Sequence, residues 1–223
     1  MGSKGSKTLV QLMSLIGQGK SQLGQDLFVL AFSNFKKGGY FVEFGATDGL
    51  TLSNTYLLEK KFGWNGILAE PGKKWEKSLR QNRDAEIDTR CVYSSTGESV
   101  RFTEVKKGEF STITNFANSD HHSKKRIDSV EYFVETVSLK DLLDYHKAPE
   151  KIDYISIDTE GSEYEIIKNF DFNSYDIRIL TIEHNYGENR ELINALMMKN
   201  GYKRLKENVS LWDDWYIKEM VGS

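Results

Sequence analysis

Tyr40-Phe41-Val42-Glu43-Phe44-Gly45-Ala46-Thr47-Asp48-Gly49 decides the fold class. Its first half reads as a short buried strand, Gly45 to Gly49 as a tight turn, and the spacing of Tyr56, Leu57 and Leu58 within 53–62 as a helix that follows. A glycine at a strand end lets the backbone approach a ligand closely, because a side chain there would take the ligand's place. Moving outward, Gly66 to Ala69, Ile152 to Ile157 and Ile177 to Ile182 are further short apolar runs. Between them lie helix-period stripes, Leu27, Phe28, Leu30, Ala31 and Phe32 within 25–35, and Leu192, Ile193, Leu196 and Met197 before a capping Gly201. Short buried strands alternating with helices predict a parallel sheet covered on both faces. Each run carries or precedes a carboxylate, Glu43, Glu70, Asp158 or Glu183. Open α/β sheets bind ligands at the carboxyl ends of their strands, so these four acids are expected to converge. Past Gly201, Tyr202 to Leu205 and Ser210 to Ile217 read as a terminal antiparallel hairpin.

A length of 223 residues suits one large α/β domain, and the 39% hydrophobic, 28% charged composition is that of a globular chain. Lys plus Arg is 30 against 33 Asp plus Glu, a formal charge of -3, so no global positive excess favours nucleic acid as a partner. Cys91 is the single cysteine, which forbids an internal disulfide and every CxxC motif, and a cytoplasmic location is expected. No apolar run reaches the ~20 residues of a membrane helix, and the opening residues lack the apolar stretch of a signal peptide. Residues 1–7, with Gly222 and Ser223, read as linker, leaving 8–223 as a single domain. Within it, 106–129 is polar and poor in aliphatic residues, and it reads as an insertion or lid on the substrate side. Its adjacent His121 and His122 fit solvated positions better than a catalytic one.

Two phosphate-binding readings of the glycine turn fail. A P-loop needs a Lys followed by Ser or Thr after its last glycine, and here Leu50 and Thr51 follow Gly49. A dinucleotide fingerprint needs two further glycines where Thr47 and Leu50 stand. The pattern present is acid-x-Gly-x-x-x-Gly, from Glu43 to Gly49, which is similar to the first motif of class I S-adenosylmethionine methyltransferases. That cofactor has no phosphate, so no anion cradle is needed, and Glu43 suits its cationic methionine end. Glu70, 27 residues further on and followed by Pro71, stands where a ribose-binding acid is expected.

The wider chain resembles the FkbM-family methyltransferases. The resemblance rests on Ser21-Gln-Leu-Gly-Gln-Asp26, Phe41 to Gly49, Ser53-Asn-Thr55, Gly63-Trp-Asn-Gly-Ile-Leu-Ala-Glu-Pro71, Ile157-Asp-Thr-Glu-Gly-Ser-Glu163 and Thr181-Ile-Glu-His-Asn185. It implies a Rossmann-like seven-stranded, mostly parallel sheet with a C-terminal antiparallel strand, S-adenosylmethionine as methyl donor, and O-methylation of a hydroxyl on a sugar in a glycan or glycosylated metabolite. Thr47 replaces a common Asn, and Cys91-Val-Tyr93 replaces a small residue followed by Val-Ser. Carried over residue by residue, Glu43, Gly45, Ala46, Asp48 and Gly49 line the methionine end, Glu70 takes the ribose, and the backbone near Cys91 and Val92 takes the adenine. Thr47, Ser53, Asn54, Pro71 and Asp158 join them as expected cofactor-binding residues. Gln22, Gln25 and Asp26 close over the cofactor, although helix capping explains Gln25 or Asp26 equally well.

A sugar hydroxyl needs a base, or a cation that lowers its pKa. Asp158 ends one strand, and Glu183, His184 and Asn185 end the next. Related O-methyltransferases hold Mg²⁺ at these strand ends, which makes Asp158 and Glu183, with Asn185 or His184, a candidate site for magnesium or manganese. Direct base catalysis by His184 or a carboxylate is the competing expectation. Glu160 precedes Gly161 on the pocket side and joins Asp158, Glu183 and His184 as a catalytic candidate. Glu163 is explained by the helix dipole. Methylation of a small non-sugar hydroxyl or carboxyl, and a non-catalytic glycan- or partner-binding domain, are the alternatives. A module of a larger glycan-synthesis protein is compatible with the sequence.

Overall fold

The computed structural model describes residues 4–106, 110–116, 128–205 and 208–219. In chain order the elements are α1 (Lys4–Met13), α2 (Gln25–Phe32), β1 (Tyr40–Phe44), α3 (Tyr56–Phe62), β2 (Asn65–Ala69), α4 (Glu76–Asn82), β3 (Glu86–Asp88), β4 (Cys91–Tyr93) and β5 (Ser99–Val105). There follow β6 (Thr112–Ile113), a 3₁₀ turn (Thr114–Phe116), β7 (Ser129–Ser138), α5 (Leu139–Tyr145), β8 (Lys151–Ile157), α6 (Glu163–Ile167), β9 (Asp176–Glu183), α7 (Arg190–Lys199), β10 (Tyr202–Leu205) and β11 (Asp213–Lys218).

The main sheet has seven strands in the order β10-β11-β9-β8-β1-β2-β3. All the pairings are parallel except those of β11, which runs against both β9 and β10. The seven-stranded sheet with a reversed last strand is therefore present. Its central strands are buried on both faces, so successive side chains enter different cores: Val42 and Phe44 pack with Ile155 and Leu142, while Phe41 packs with Tyr154, Leu58 and Val29. Two-sided burial is why these strands read as continuous apolar runs instead of alternating ones.

Two element boundaries differ from expectation for local reasons. The helix read from Ser53 begins at Tyr56, because Ser53, Asn54 and Thr55 are tied to Glu43. The helix beginning at Gln25 stops at Phe32, and the left-handed Asn34 (φ 55°) and Phe35 (φ 54°) turn the chain into β1. Residues 4–7, read as linker, lie in α1. Gly201, at φ 81°, follows α7 as its cap, and Ser210 accepts from Asp213 N–H in the turn that precedes β11, so the last strand starts at Asp213.

A second, four-stranded sheet in the order β4-β7-β5-β6 was not expected. It packs around Cys91, Phe102, Ile113 and Val134. The polar insertion belongs to this sheet: it leaves from β5, contributes β6, and returns through β7. His121 and His122 lie outside the described residues.

Candidate active site

The carboxyl ends of β1, β2, β8 and β9 open into one cleft of about 360 Å³, a size usual for small-molecule sites. The four strand-end acids all line it, joined by Glu160 and Asp213. No Lys, Arg or His is among the described lining residues. A cleft with that one-sided charge favours a cationic occupant.

The glycine turn forms one wall. Gly45 has φ 72°, and a Cβ built there would collide with the Asp158 carbonyl oxygen on the adjacent strand. The turn is held on its outer side by Asp48, whose Oδ1 accepts from Leu50 N–H at 2.9 Å and Thr51 N–H at 2.7 Å. Asp48 and Gly49 do not line the cleft, which corrects their expected cofactor contact: the first is used up as a turn acceptor, and the second packs beside Arg83 and Leu79.

Glu43 is committed to the fold as well as to the cleft. Its Oε1 accepts from Asn54 N–H at 2.7 Å, and its Oε2 accepts from Ser53 Oγ at 3.0 Å and Thr55 Oγ1 at 2.5 Å. Arg83, with a fully buried side chain, stands 3.5 Å from Glu43 and 2.9 Å from Glu59, and donates to the Gly49 carbonyl at 3.1 Å. Arg83 thus ties strand β1, the turn and α3 together, and no motif marked it in advance.

Glu70 turns back toward the same turn. Its Oε2 accepts from Thr47 N–H at 2.8 Å and its Oε1 from Gly72 N–H at 2.7 Å. Burial nevertheless pushes its pKa up to about 7. Each oxygen keeps a further lone pair, so the carboxylate can still accept from a pair of hydroxyls. Pro71, Cys91 and Val92 line the cleft beside it, with the Cys91 thiol pushed up to about 12 by burial and therefore unreactive.

Gln22 and Gln25 line the opposite side, and Gln25 Nε2 donates to Asp213 Oδ2 at 2.6 Å. Asp26 does not reach the cleft: its Oδ1 accepts from Ser21 Oγ and Leu27 N–H near the start of α2. The N-cap itself is Gly24, so neither Gln25 nor Asp26 fills that position.

At the far end, one oxygen from each of Asp158, Glu160 and Glu183 lies within 4.8 Å of the others. Burial raises the Asp158 and Glu183 pKa values, and their mutual proximity together with Asp213, Glu160 and Glu163 opposes full ionisation. Glu183 Oε2 and Asn54 Oδ1 are buried acceptors without a hydrogen-bond partner among the described residues, both on cleft-lining residues. Hard oxygen donors grouped this closely fit a divalent cation. The triad differs from the expected one, since Glu160, held at φ 58°, completes it while Asn185 lines the cleft beside it.

His184 is the clearest correction. Its ring is buried away from the cleft, its Nδ1 accepts from Tyr186 N–H at 3.0 Å, and its Nε2 faces Asp214 at 3.7 Å. Burial lowers its pKa. An imidazole whose Nδ1 is occupied and whose Nε2 faces a carboxylate that Arg190 also holds has no route to a substrate proton.

Phe110, Ser111 and Ile113, from the segment read as a substrate-side insertion, line the cleft, and other lining residues were not anticipated: Trp75 from the β2–α4 loop, Phe102 from β5, and Tyr186, Trp212 and Asp213 beside Glu183. One signal was available for the last two. In a reversed strand the first residues lie at the carboxyl ends of the strands it runs against, so Asp213, paired opposite Glu183, had to reach the cleft.

Residues 43–204, more than half of the chain, match the family described as Methyltransferase FkbM domain. The chain belongs to this methyltransferase family, whose members generally use S-adenosylmethionine. Among solved structures it aligns with a methyltransferase from Pyrococcus furiosus at 15% identity and TM-score 0.39, over 85% of this chain and 78% of the other. It also aligns with precorrin-6y C5,15-methyltransferase from Geobacter metallireducens GS-15 at 10% identity and TM-score 0.43, over 87% of each chain. No curated protein sequence matches significantly. Among the described residues, no helix is long and apolar enough to cross a membrane.

Proposed function

We propose that the chain is an S-adenosylmethionine-dependent O-methyltransferase acting on a hydroxyl of a sugar in a glycan or glycosylated metabolite. The observation that carries the donor is the cleft itself, lined by carboxylates, without a Lys, Arg or His among its described lining residues, and entered by a glycine turn too crowded for a Cβ. A sulfonium with an ammonium group is the kind of ligand that such a cleft favours. Gly45, Ala46 and Thr47 offer close backbone at the methionine end, with Gln22, Gln25, Ser53 and Asn54 around it. Glu70 would accept from the ribose hydroxyls, and Cys91 and Val92 would flank the adenine. When bound, the cofactor supplies an electrophilic methyl group.

The residues of this chain must then activate the acceptor. Without a cation, Asp158 and Glu183 have raised pKa values, so whichever of the pair is ionised would have the basicity to take the hydroxyl proton as the oxygen attacks. Asp158, Glu160 and Glu183 would hold Mg²⁺ or Mn²⁺, which would lower the pKa of a hydroxyl held beside it. Calorimetric titration with S-adenosylhomocysteine tests the donor reading: binding with one site per chain is expected, and no binding by the folded chain would overturn it. Methyl transfer from labelled cofactor to a glycan, and not to small phenols or carboxylic acids, tests the acceptor class.

A further inference from the structure

Tyr186 lines the cleft, is 61% exposed, and sits at φ 56°, a left-handed conformation that is a true outlier for a bulky residue. The preceding Asn185 is left-handed too, at φ 44°. The turn is pinned against these costs: Tyr186 N–H donates to His184 Nδ1 at 3.0 Å, His184 and Asn185 N–H both donate to the Trp212 carbonyl, and Gly187 N–H donates to the His184 carbonyl. The Tyr186 ring stands edge-on to His184 with centroids 5.3 Å apart, so it is oriented as well as exposed. His184, buried beside Asp214, thereby has a task other than proton transfer.

Backbone strain that surrounding contacts over-determine clusters at ligand sites. This strained turn follows directly from Glu183, and Trp212 brings a second aromatic residue to the same stretch of cleft wall. The β2 side of the sheet, with Glu70 and Cys91, is the nucleoside end in the proposed function, which leaves the β9–β11 side for the acceptor. On that reading, we infer that Tyr186 and Trp212 form an acceptor platform built for a neutral pyranose, with the ring's apolar C–H face on Tyr186 and its hydroxyls toward Asp158, Glu160 and Glu183. Before any divalent cation binds, the charge of the site sets the preference: all ionisable residues among its described lining are acids or weakly acidic Cys and Tyr, so a uronate or phosphosugar would meet repulsion with no lysine or arginine to offset it. The aromatic ring supplies contact with the sugar face, which a carboxylate cannot give.

The test uses the full chain in the presence of chelator, saturated with S-adenosylhomocysteine and titrated, by saturation-transfer NMR, with methyl glucoside, galactoside, mannoside and rhamnoside and with methyl glucuronide. At least one neutral glycoside should bind, and the glucuronide should bind about tenfold more weakly or not at all. Tyr186→Ala and Tyr186→Gly should weaken the neutral glycoside by about five- to tenfold, Tyr186→Phe should retain it, and cofactor affinity should stay unchanged in all three. The glycine variant should melt no lower than wild type, because it relieves the left-handed backbone, so its loss of binding could not be assigned to unfolding. Wild-type affinity in Tyr186→Ala, equal binding of the glucuronide, or no glycoside binding at all would overturn the platform. Failure of S-adenosylhomocysteine to bind would overturn the donor reading instead, and the glycoside titrations without it would still report on Tyr186.

Discussion

Gly45 and Asp158 show how little space separates the two strands that frame the cleft. Because a Cβ at Gly45 would strike the Asp158 carbonyl oxygen, Gly45→Ala strains the turn and shifts the strand end carrying Asp158. S-adenosylhomocysteine binding should be lost in that variant while circular dichroism still reports a folded chain; undiminished affinity would remove the turn from the site. Asp158→Asn keeps the shape of the side chain and deletes both its charge and its basicity. Turnover is expected to fall by at least ~100-fold, a few kcal/mol of barrier. Chelation should also abolish turnover, with recovery on adding Mg²⁺ or Mn²⁺; full activity in excess chelator would leave a carboxylate acting alone as base. Arg83 tests the scaffold beneath these residues. Replacing it with Met leaves Glu43 buried without its cation and Glu59 with Lys60 alone, and breaking a buried pair this way costs about 3–5 kcal/mol. Denaturant titration should show that loss, and a near-neutral result would mean that Glu43 is held by its three hydrogen-bond donors alone.

At the level of elements, the small sheet supplies one wall of the cleft at the carboxyl ends of the main sheet. Thr112 Oγ1 donates to the Glu160 carbonyl at 2.9 Å, so β6 grips the backbone of an acid in the proposed cation triad. Phe110, Ser111 and Ile113 complete that wall. Replacing 107–127 with a short Gly/Ser turn should therefore remove turnover while leaving the cofactor bound, measured by radiolabel transfer and by calorimetry; persistent turnover on the native acceptor would reduce the segment to a surface loop. Strands β1, β2, β8 and β9 of the main sheet are legible because they are buried on both faces and each carries or precedes an acid, whereas the three-residue edge strand β3 carries too few apolar residues to be read. The small sheet was not read, although Ser129 to Ser138 alternates apolar and charged or polar residues in the pattern of a half-exposed strand. Only Val134, Thr136 and Val137 of β7 are buried, so its apolar content is diluted by solvent-facing Glu131 and Glu135. His184 misled for a different reason: its position after Glu183 was read correctly, but the left-handed Asn185 and Tyr186 that turn the chain leave no trace in residue type. Arg83 lies far in sequence from the acids it serves, and no local pattern could announce it.

For the molecule as a whole, the cleft concentrates groups that resist ionisation in the absence of a cation. Burial pushes Glu70 to about 7 and Asp213 to about 6, and raises Asp158 and Glu183 as well. The sign follows from proton counting: the folded chain binds more protons than the unfolded one between the ordinary carboxylate range and these raised values, so stability is greatest at the acidic end of that window and falls as pH rises through 6 to 7. For Glu70 alone the shift corresponds to roughly 3 kcal/mol. The melting temperature without ligand should thus drop by several degrees between about pH 5 and pH 8. Added S-adenosylhomocysteine or Mg²⁺ should protect best at the alkaline end, and a flat or rising profile would contradict the burial of uncompensated acids. The reversed strand carries a different kind of consequence, in time. β11 lies between β9 and β10 although it is made after both, and it brings Trp212 and Asp213 to the cleft. A growing chain on the ribosome can therefore form β1, β2, β8 and β9 early, yet it holds β9 as a bare edge and β10 without a neighbour until residue 218 has emerged. The cleft is thus the last part of this fold to be finished, and a nascent chain cannot hold a ligand there before residue 218 has emerged.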